Sequence, residues 1–250
     1  MEVHHHSHTE RKKWSHYLWE FLMLFLAVFC GFLAENQREH FVEHQREKVY
    51  INQFLNDLTN DTIAFSRFIE NSKRNELRMD SLILMMKTYK DGDATEYLYY
   101  LARILFGRID RLQYNKRTYN QLKNSGGLRL IRKKNALDSL SLFFESLEWV
   151  DLQNQLQVDR QTLYGLEIGE VFNAWTIDSI FNTRFTKPNS SPPLLTTDTR
   201  SLNRFIIRLH ILKGVVNFNM TKVINDYLPV SKRLIILLKK EYTNNILLIV

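Results

Sequence analysis

A chain of 250 residues with 8 glycines and 4 prolines has too few turn signals for the many short strands of a sandwich or barrel, so long helices are expected. The formal net charge of +7 comes from 34 basic residues dispersed among 27 acidic ones. No nucleic-acid-binding module surrounds them, which argues against nucleic acid and for attraction to anionic lipid or wall polymer.

Residues 1–16 read as a polar, His-rich tail. His4, His5, His6 and His8 are candidate metal ligands, because neutral imidazole binds zinc, copper or nickel well. No thiolate accompanies them and clustering alone fixes no geometry, so an unstructured tail is the plainer reading. A divalent metal is the one cofactor the sequence suggests.

Residues 17–35 are expected to form a transmembrane helix. Phe21–Ala34 carries no charge, and Tyr17, Leu18 and Trp19 lengthen the run toward the ~20 apolar residues a bilayer needs. Trp14, Tyr17 and Trp19 suit the headgroup level. Glu20 interrupts the run near one end, where it reaches water or a partner. The apolar residues cover every face, unlike an interfacial helix. A buried core helix would also be apolar all round, but Arg11, Lys12 and Lys13 before the run and a charged helix after it weigh against that. A signal peptide fits poorly, because Phe32 would stand where cleavage after Ala34 needs a small residue. Cys30 is the only cysteine; it permits no intramolecular disulfide, and Phe29 before it does not suit a lipoprotein signal. Ala27, Gly31 and Ala34 form a small-residue face on which two spans can approach, so self-association is one expectation.

Lys and Arg tie on the two sides of the span, with Arg11, Lys12 and Lys13 before it and Arg38, Arg46 and Lys48 after it. The contiguous charges favour a cytoplasmic tail, placing the large domain in the periplasm of a bacterial inner-membrane protein. No second span is expected: Arg208, His210 and Lys213 interrupt the apolar stretch 205–216.

Residues 36–50 read as a charged helical stalk and 51–250 as a helical bundle. One helix is expected over 36–72, with Ile51, Leu55, Leu58, Thr62, Phe65 and Ile69 forming a heptad stripe suited to a coiled-coil-like seam. His40 and His44 share a face at i, i+4, a weak metal or pH-sensing signal beside the plainer reading of a solvated stalk. Shorter helices are expected over 75–89 and 95–106, separated at Asp91–Asp93. Tyr97, Tyr99, Tyr100, Phe106 and Tyr114 alternate with Arg103, Arg108 and Arg111. Such interleaving can stack nucleobases, but core packing explains it better.

A short helix over 118–124 should end at Ser125-Gly126-Gly127, with glycine in the left-handed cap conformation and Leu128, Leu130 and Ile131 docking the turn. Leu137, Leu140, Phe144 and Leu147 open a long helix that continues past Gln157, with further turns to Phe181; Gly165 and Gly169 suit close packing or a bend. Pro188, Pro192 and Pro193 mark residues 182–199 as a loop, and Asp198 can cap the helix that follows. That helix carries Leu202, Phe205, Leu209, Leu212 and Val216 on one side and Arg200, Arg204 and Arg208 on another. The basic stripe suits an acidic partner, though a solvated face is the commoner case. Pro229 should kink or end it.

The segment with Tyr119, Leu122, Ser125, Gly126, Leu128, Leu130 and Ile131 resembles the Tyr/Phe-x-x-Leu-x-x-Ser-Gly-x-Leu-x-Leu-Ile core of a family of bacterial single-span proteins carrying a domain of unknown function. The opening HHHSHTERKKW and the LFLAVFCGFLAE span resemble a subgroup. The resemblance covers the chain to about Leu147. It implies a topology and a helical fold, and no activity.

No nucleophile elbow, HExxH, paired CxxC, Rossmann or Walker loop is present, so no catalytic residue is assigned and an enzyme is not expected. The chain is expected to be all-α: an N-terminal transmembrane helix followed by a long-helix bundle. Its expected role is that of a membrane-anchored scaffold or interaction protein, accessory to an envelope complex, whose partners are the lipid bilayer and a protein or a second copy, not nucleic acid. The alternative is a metal- or pH-responsive membrane regulator using the tail histidines and His40/His44.

Overall fold

The structure, a computed structural model, describes residues 14–242. Among these the regular structure is entirely helical. The elements are α1 (Trp14–Thr88), α2 (Glu96–Gly107), α3 (Arg117–Ser125), a 3₁₀ turn (Gly127–Leu130), α4 (Lys134–Val171), α5 (Ala174–Asn182), α6 (Thr199–Lys222), a π-helical turn (Val223–Tyr227) and α7 (Leu228–Tyr242). The chain divides into two compact units, Met1–Val49 and Tyr50–Val250.

The described part of the first unit is the beginning of α1. It contains one segment long and apolar enough to cross a membrane, and none of that segment is buried. This distinguishes it from the core helix of a soluble protein. Phe21, Phe25 and Phe29 stack along one side at 6.4 and 5.9 Å, and Glu20 pairs with His16 at 3.1 Å.

The second unit is organised on the remainder of α1. Ile51, Phe54, Leu58, Asp61, Phe65, Phe68, Ser72, Asn75, Met79, Leu82 and Met86 are all buried, and their spacing alternates strictly between three and four. That is a heptad seam. It shares Ile51, Leu58 and Phe65 with the stripe expected from sequence, but it runs through Phe54, Asp61 and Phe68 where Leu55, Thr62 and Ile69 were expected. At Asp61 the seam passes through an acid, which a search for apolar periodicity skips, whereas Phe54 and Phe68 are apolar and compete with the adjacent Leu55 and Ile69. The expected break between 72 and 75 is likewise absent. No glycine or proline interrupts this stretch, and Asn75 is held in the interior, donating from Nδ2 to the Arg108 carbonyl at 3.2 Å.

Two hydrophobic clusters fill the unit. The first joins Phe54 and Phe65 of α1 to Tyr119 and Leu122 of α3, Phe144 of α4 and Leu234 of α7. The second joins Met79 and Leu82 of α1 to Leu98 and Leu101 of α2, Tyr164 of α4 and Phe205 of α6. An irregular linker, residues 108–116, connects them, with Ile109 in the second cluster and Leu112 in the first.

Local chemistry sets the ends of the elements. Gly126 takes the left-handed conformation (φ 68°) at the α3 C-terminus, as expected for a glycine there. The Asp198 carboxylate accepts from the Ser201 N–H at 2.8 Å and caps α6. Pro229 supplies no N–H to the preceding turn, and the chain answers with the π-helical turn before α7 rather than a break. Residues 183–198 form the proline-rich loop, strapped to α2 by hydrogen bonds from Thr95 to Pro192 and from the Tyr99 hydroxyl to the Pro193 carbonyl.

Candidate functional site

Two places in the second unit hold polar groups in arrangements that core packing alone does not require. The first is the linker 108–116. With no helical partners of its own, its backbone is satisfied by side chains from α1 and α4. Asn154 of α4 behaves like a strand neighbour, donating to the Leu112 carbonyl at 2.8 Å and accepting from its N–H at 3.1 Å. Gln157 donates to the Asp110 carbonyl at 2.9 Å and accepts from Asn219 of α6 at 3.3 Å. Gln161 reaches the Phe106 carbonyl, just before the linker.

At the far end of the linker lies a pair of carboxylates one turn apart on α1, Asp57 (9% exposed) and Asp61 (2%). Asp57 accepts from the Asn115 side-chain amide and from the Thr118 hydroxyl, both at 2.6 Å. Asp61 accepts the Asn115 backbone N–H at 2.8 Å through Oδ1. Its Oδ2 is buried and meets no donor among the described residues. Burial, reinforced by the charge of Asp57 and opposed by the Asn115 N–H, pushes the Asp61 carboxyl up to about 7. Both carboxylates face the linker and its continuation into α3.

The second place is a groove of about 330 Å³ between α2, α4 and α5, lined by Arg103, Phe106, Ile168, Gly169, Phe172 and Asp178 among others. The Arg103 guanidinium lies over the rings of Phe106, Phe181 and Phe185 at 5.8, 5.0 and 5.2 Å. Arg108 covers Phe185 at 4.1 Å. Phe185 is brought there by two consecutive non-glycine residues in the left-handed region, Arg184 (φ 56°) and Phe185 (φ 66°). Such residues cost ~1–2 kcal/mol each and persist only where surrounding contacts fix them.

No family model, curated protein or solved structure matches this chain.

Of the residues singled out from sequence, Tyr119, Leu122, Leu128 and Ile131 meet in the first cluster. His4, His5, His6 and His8 lie outside the described residues. His40 is exposed on α1, and His44 contacts the Glu47 carboxylate at 3.2 Å. Among the described residues no group of three or more His, Cys, Asp or Glu side chains is placed to hold a metal. Ala27, Gly31 and Ala34 are exposed along α1, and nothing lies within 4 Å of a side chain placed at Gly31.

The Tyr119–Ile131 segment is structural. Tyr119 is buried and stacks on Phe144 at 4.8 Å, Leu122 is fully buried, and the Ser125 hydroxyl turns back to the Leu122 carbonyl at 3.4 Å. Ile131 joins the first cluster, with Leu128 packed against it. Leu130 is half-buried.

The basic stripe on α6 meets acids within the chain. Arg204 pairs with Glu167 at 2.8 Å and Glu170 at 3.8 Å, and Arg208 approaches Glu167 at 3.9 Å. In sequence Arg103 and Arg108 alternate with tyrosines for which core packing is the better expectation. In the structure Tyr99 is core, and the rings that meet these arginines come chiefly from 181–185, some 75 positions along the chain.

Proposed function

We propose that the protein is a single-span, membrane-anchored helical interaction protein of the bacterial inner membrane, its bundle domain on the periplasmic side, accessory to a larger envelope assembly. The observation that carries the reading is the apolar segment at the start of α1, which keeps an uncharged run of phenylalanine, leucine, valine and methionine entirely out of any core. In water such a surface is unfavourable at roughly 25 cal/mol per Å² of apolar area, and lipid relieves that cost. The bundle has its own two-part core and places polar side chains mainly on structural duty. Its mechanism is therefore positional: the span localises and the bundle presents helical surfaces to a protein partner or to a second copy. The likeness of the Tyr119–Ile131 segment to the single-span family supports the same topology.

Gentle solubilisation of membranes from the native host, followed by purification at natural expression level, tests this role. A stoichiometric protein partner, or a defined homo-oligomer, is the expected result. Recovery of a monomer without any partner contradicts it.

A further inference from the structure

We propose that the groove between α2, α4 and α5 is a binding site for a small zwitterion with an apolar body, of which an apolar α-amino acid is the simplest case, its carboxylate on Arg103 and its ammonium on Asp178. This goes beyond the anchoring role and adds a ligand to the bundle.

The guanidinium of Arg103 is half-buried and held by three phenylalanine rings. Among the described residues it makes no hydrogen bond or ion pair, although arginine keeps its charge and offers five N–H donors in a planar fork. Aromatic faces stabilise the cation but accept none of those hydrogens. A carboxylate takes two of them at once.

The opposite charge in the groove is Asp178 on α5. One of its oxygens accepts from Asn182 at 2.8 Å, and among the described residues no cation pairs with it directly, although it feels the charge of Arg103. A simple anion would meet Asp178 unfavourably, and a simple amine would leave Arg103 bare. A molecule carrying both charges satisfies each wall.

Apart from these two charges the lining is apolar, with Ile168, Phe172 and Ile177 as well as Gly169. A side chain built at Gly169 would meet nothing within 4 Å, so this glycine leaves space open where any other residue would occupy it. The volume of about 330 Å³ suits one small molecule rather than a protein helix. The left-handed pair Arg184–Phe185, which closes the aromatic stack over Arg103, is a local strain of the kind that collects at binding sites.

The test is calorimetric titration of the purified full chain in detergent with L-phenylalanine and L-leucine. The matched half-ligands are 3-phenylpropanoate, which lacks the ammonium, and phenethylamine, which lacks the carboxylate. Saturable binding of at least one amino acid is expected, about tenfold or more tighter than either half-ligand. Arg103→Gln and Asp178→Asn should each weaken it by about tenfold or more. Gly169→Leu, which fills open space and retains both charges, should abolish it while circular dichroism and thermal unfolding show an intact fold. The proposal is overturned if neither amino acid saturates by ~10 mM, if 3-phenylpropanoate binds as well as L-phenylalanine, or if a folded Arg103→Gln or Gly169→Leu variant binds unchanged.

Discussion

Asp61 and Asn115 are joined by a single hydrogen bond of 2.8 Å from the Asn115 backbone N–H to Oδ1, while the other oxygen of the same buried carboxylate has no donor among the described residues. Half of this group is committed to holding the linker and half is unsatisfied. Protonation relieves the unsatisfied half, because a neutral carboxyl is cheaper to bury and no longer repels Asp57.

The consequence is a stability that falls as pH rises. Asp61 titrates near 3.8 unfolded and near 7 folded, so between those values the folded chain binds the extra proton and is favoured by acid. Above pH 7 the penalty is fully present. Urea denaturation at pH 5 and pH 8 should show a loss of about 2–3 kcal/mol that is absent in Asp61→Asn. An equal pH slope in wild type and variant would remove Asp61 as its source.

Asn154 is the counterpart at the middle of the linker. Asn154→Ala strips both partners from the Leu112 peptide, whose residue is 5% exposed. A loss of about 2–3 kcal/mol is expected in chemical denaturation, since each buried group left unpaired costs ~1–3 kcal/mol. A loss under ~0.5 kcal/mol would mean that water reaches the linker.

Three glycines inside helices respond differently to alanine. At Gly214 of α6 and Gly169 of α4 an added methyl meets nothing within 4 Å, so each change should gain ~1 kcal/mol of helix stability. At Gly165 the same methyl collides with the Phe106 ring, which also stacks on Arg103. The Phe106 ring must move, and Gly165→Ala should fall ~2 kcal/mol below Gly214→Ala in a thermal or urea series. Equal effects at 165 and 214 would show that Phe106 moves at no cost.

The α4–α6 ion pairs give a further test. Glu167 is 9% exposed and faces both Arg204 and Arg208. Glu167→Gln removes the countercharge but retains the shape. A loss of about 1 kcal/mol that shrinks in high salt is expected, as for partly exposed pairs. A salt-independent effect would point to packing instead.

Much of the fold could be read from sequence where the seam is apolar and the punctuation is strong. The α6 face, its Asp198 cap, the Gly126 left-handed cap and the proline-rich loop are of this kind. What could not be read is polar. Asp61 and Asn75 occupy seam positions from which they hydrogen-bond the linker at Asn115 and Arg108, Ser72 is buried between them, and the expected stripe ran one position aside through Leu55, Thr62 and Ile69. The groove was hidden for a different reason. Arg103, Gly169, Asp178 and Phe185 span more than 80 positions, and only the packing of α2, α4, α5 and the following loop joins them. The nearby tyrosines were expected to be core, and Tyr99 is.

The central claim is that the first part of α1 lies in a bilayer. Alkaline carbonate extraction of membranes from a bacterial host expressing the full chain tests it most directly. The account predicts that the protein stays with the membrane pellet and is released only by detergent, and that replacing Leu22, Leu26 and Phe29 with Lys sends it to the soluble fraction. Quantitative release of the unaltered chain by carbonate would contradict the account.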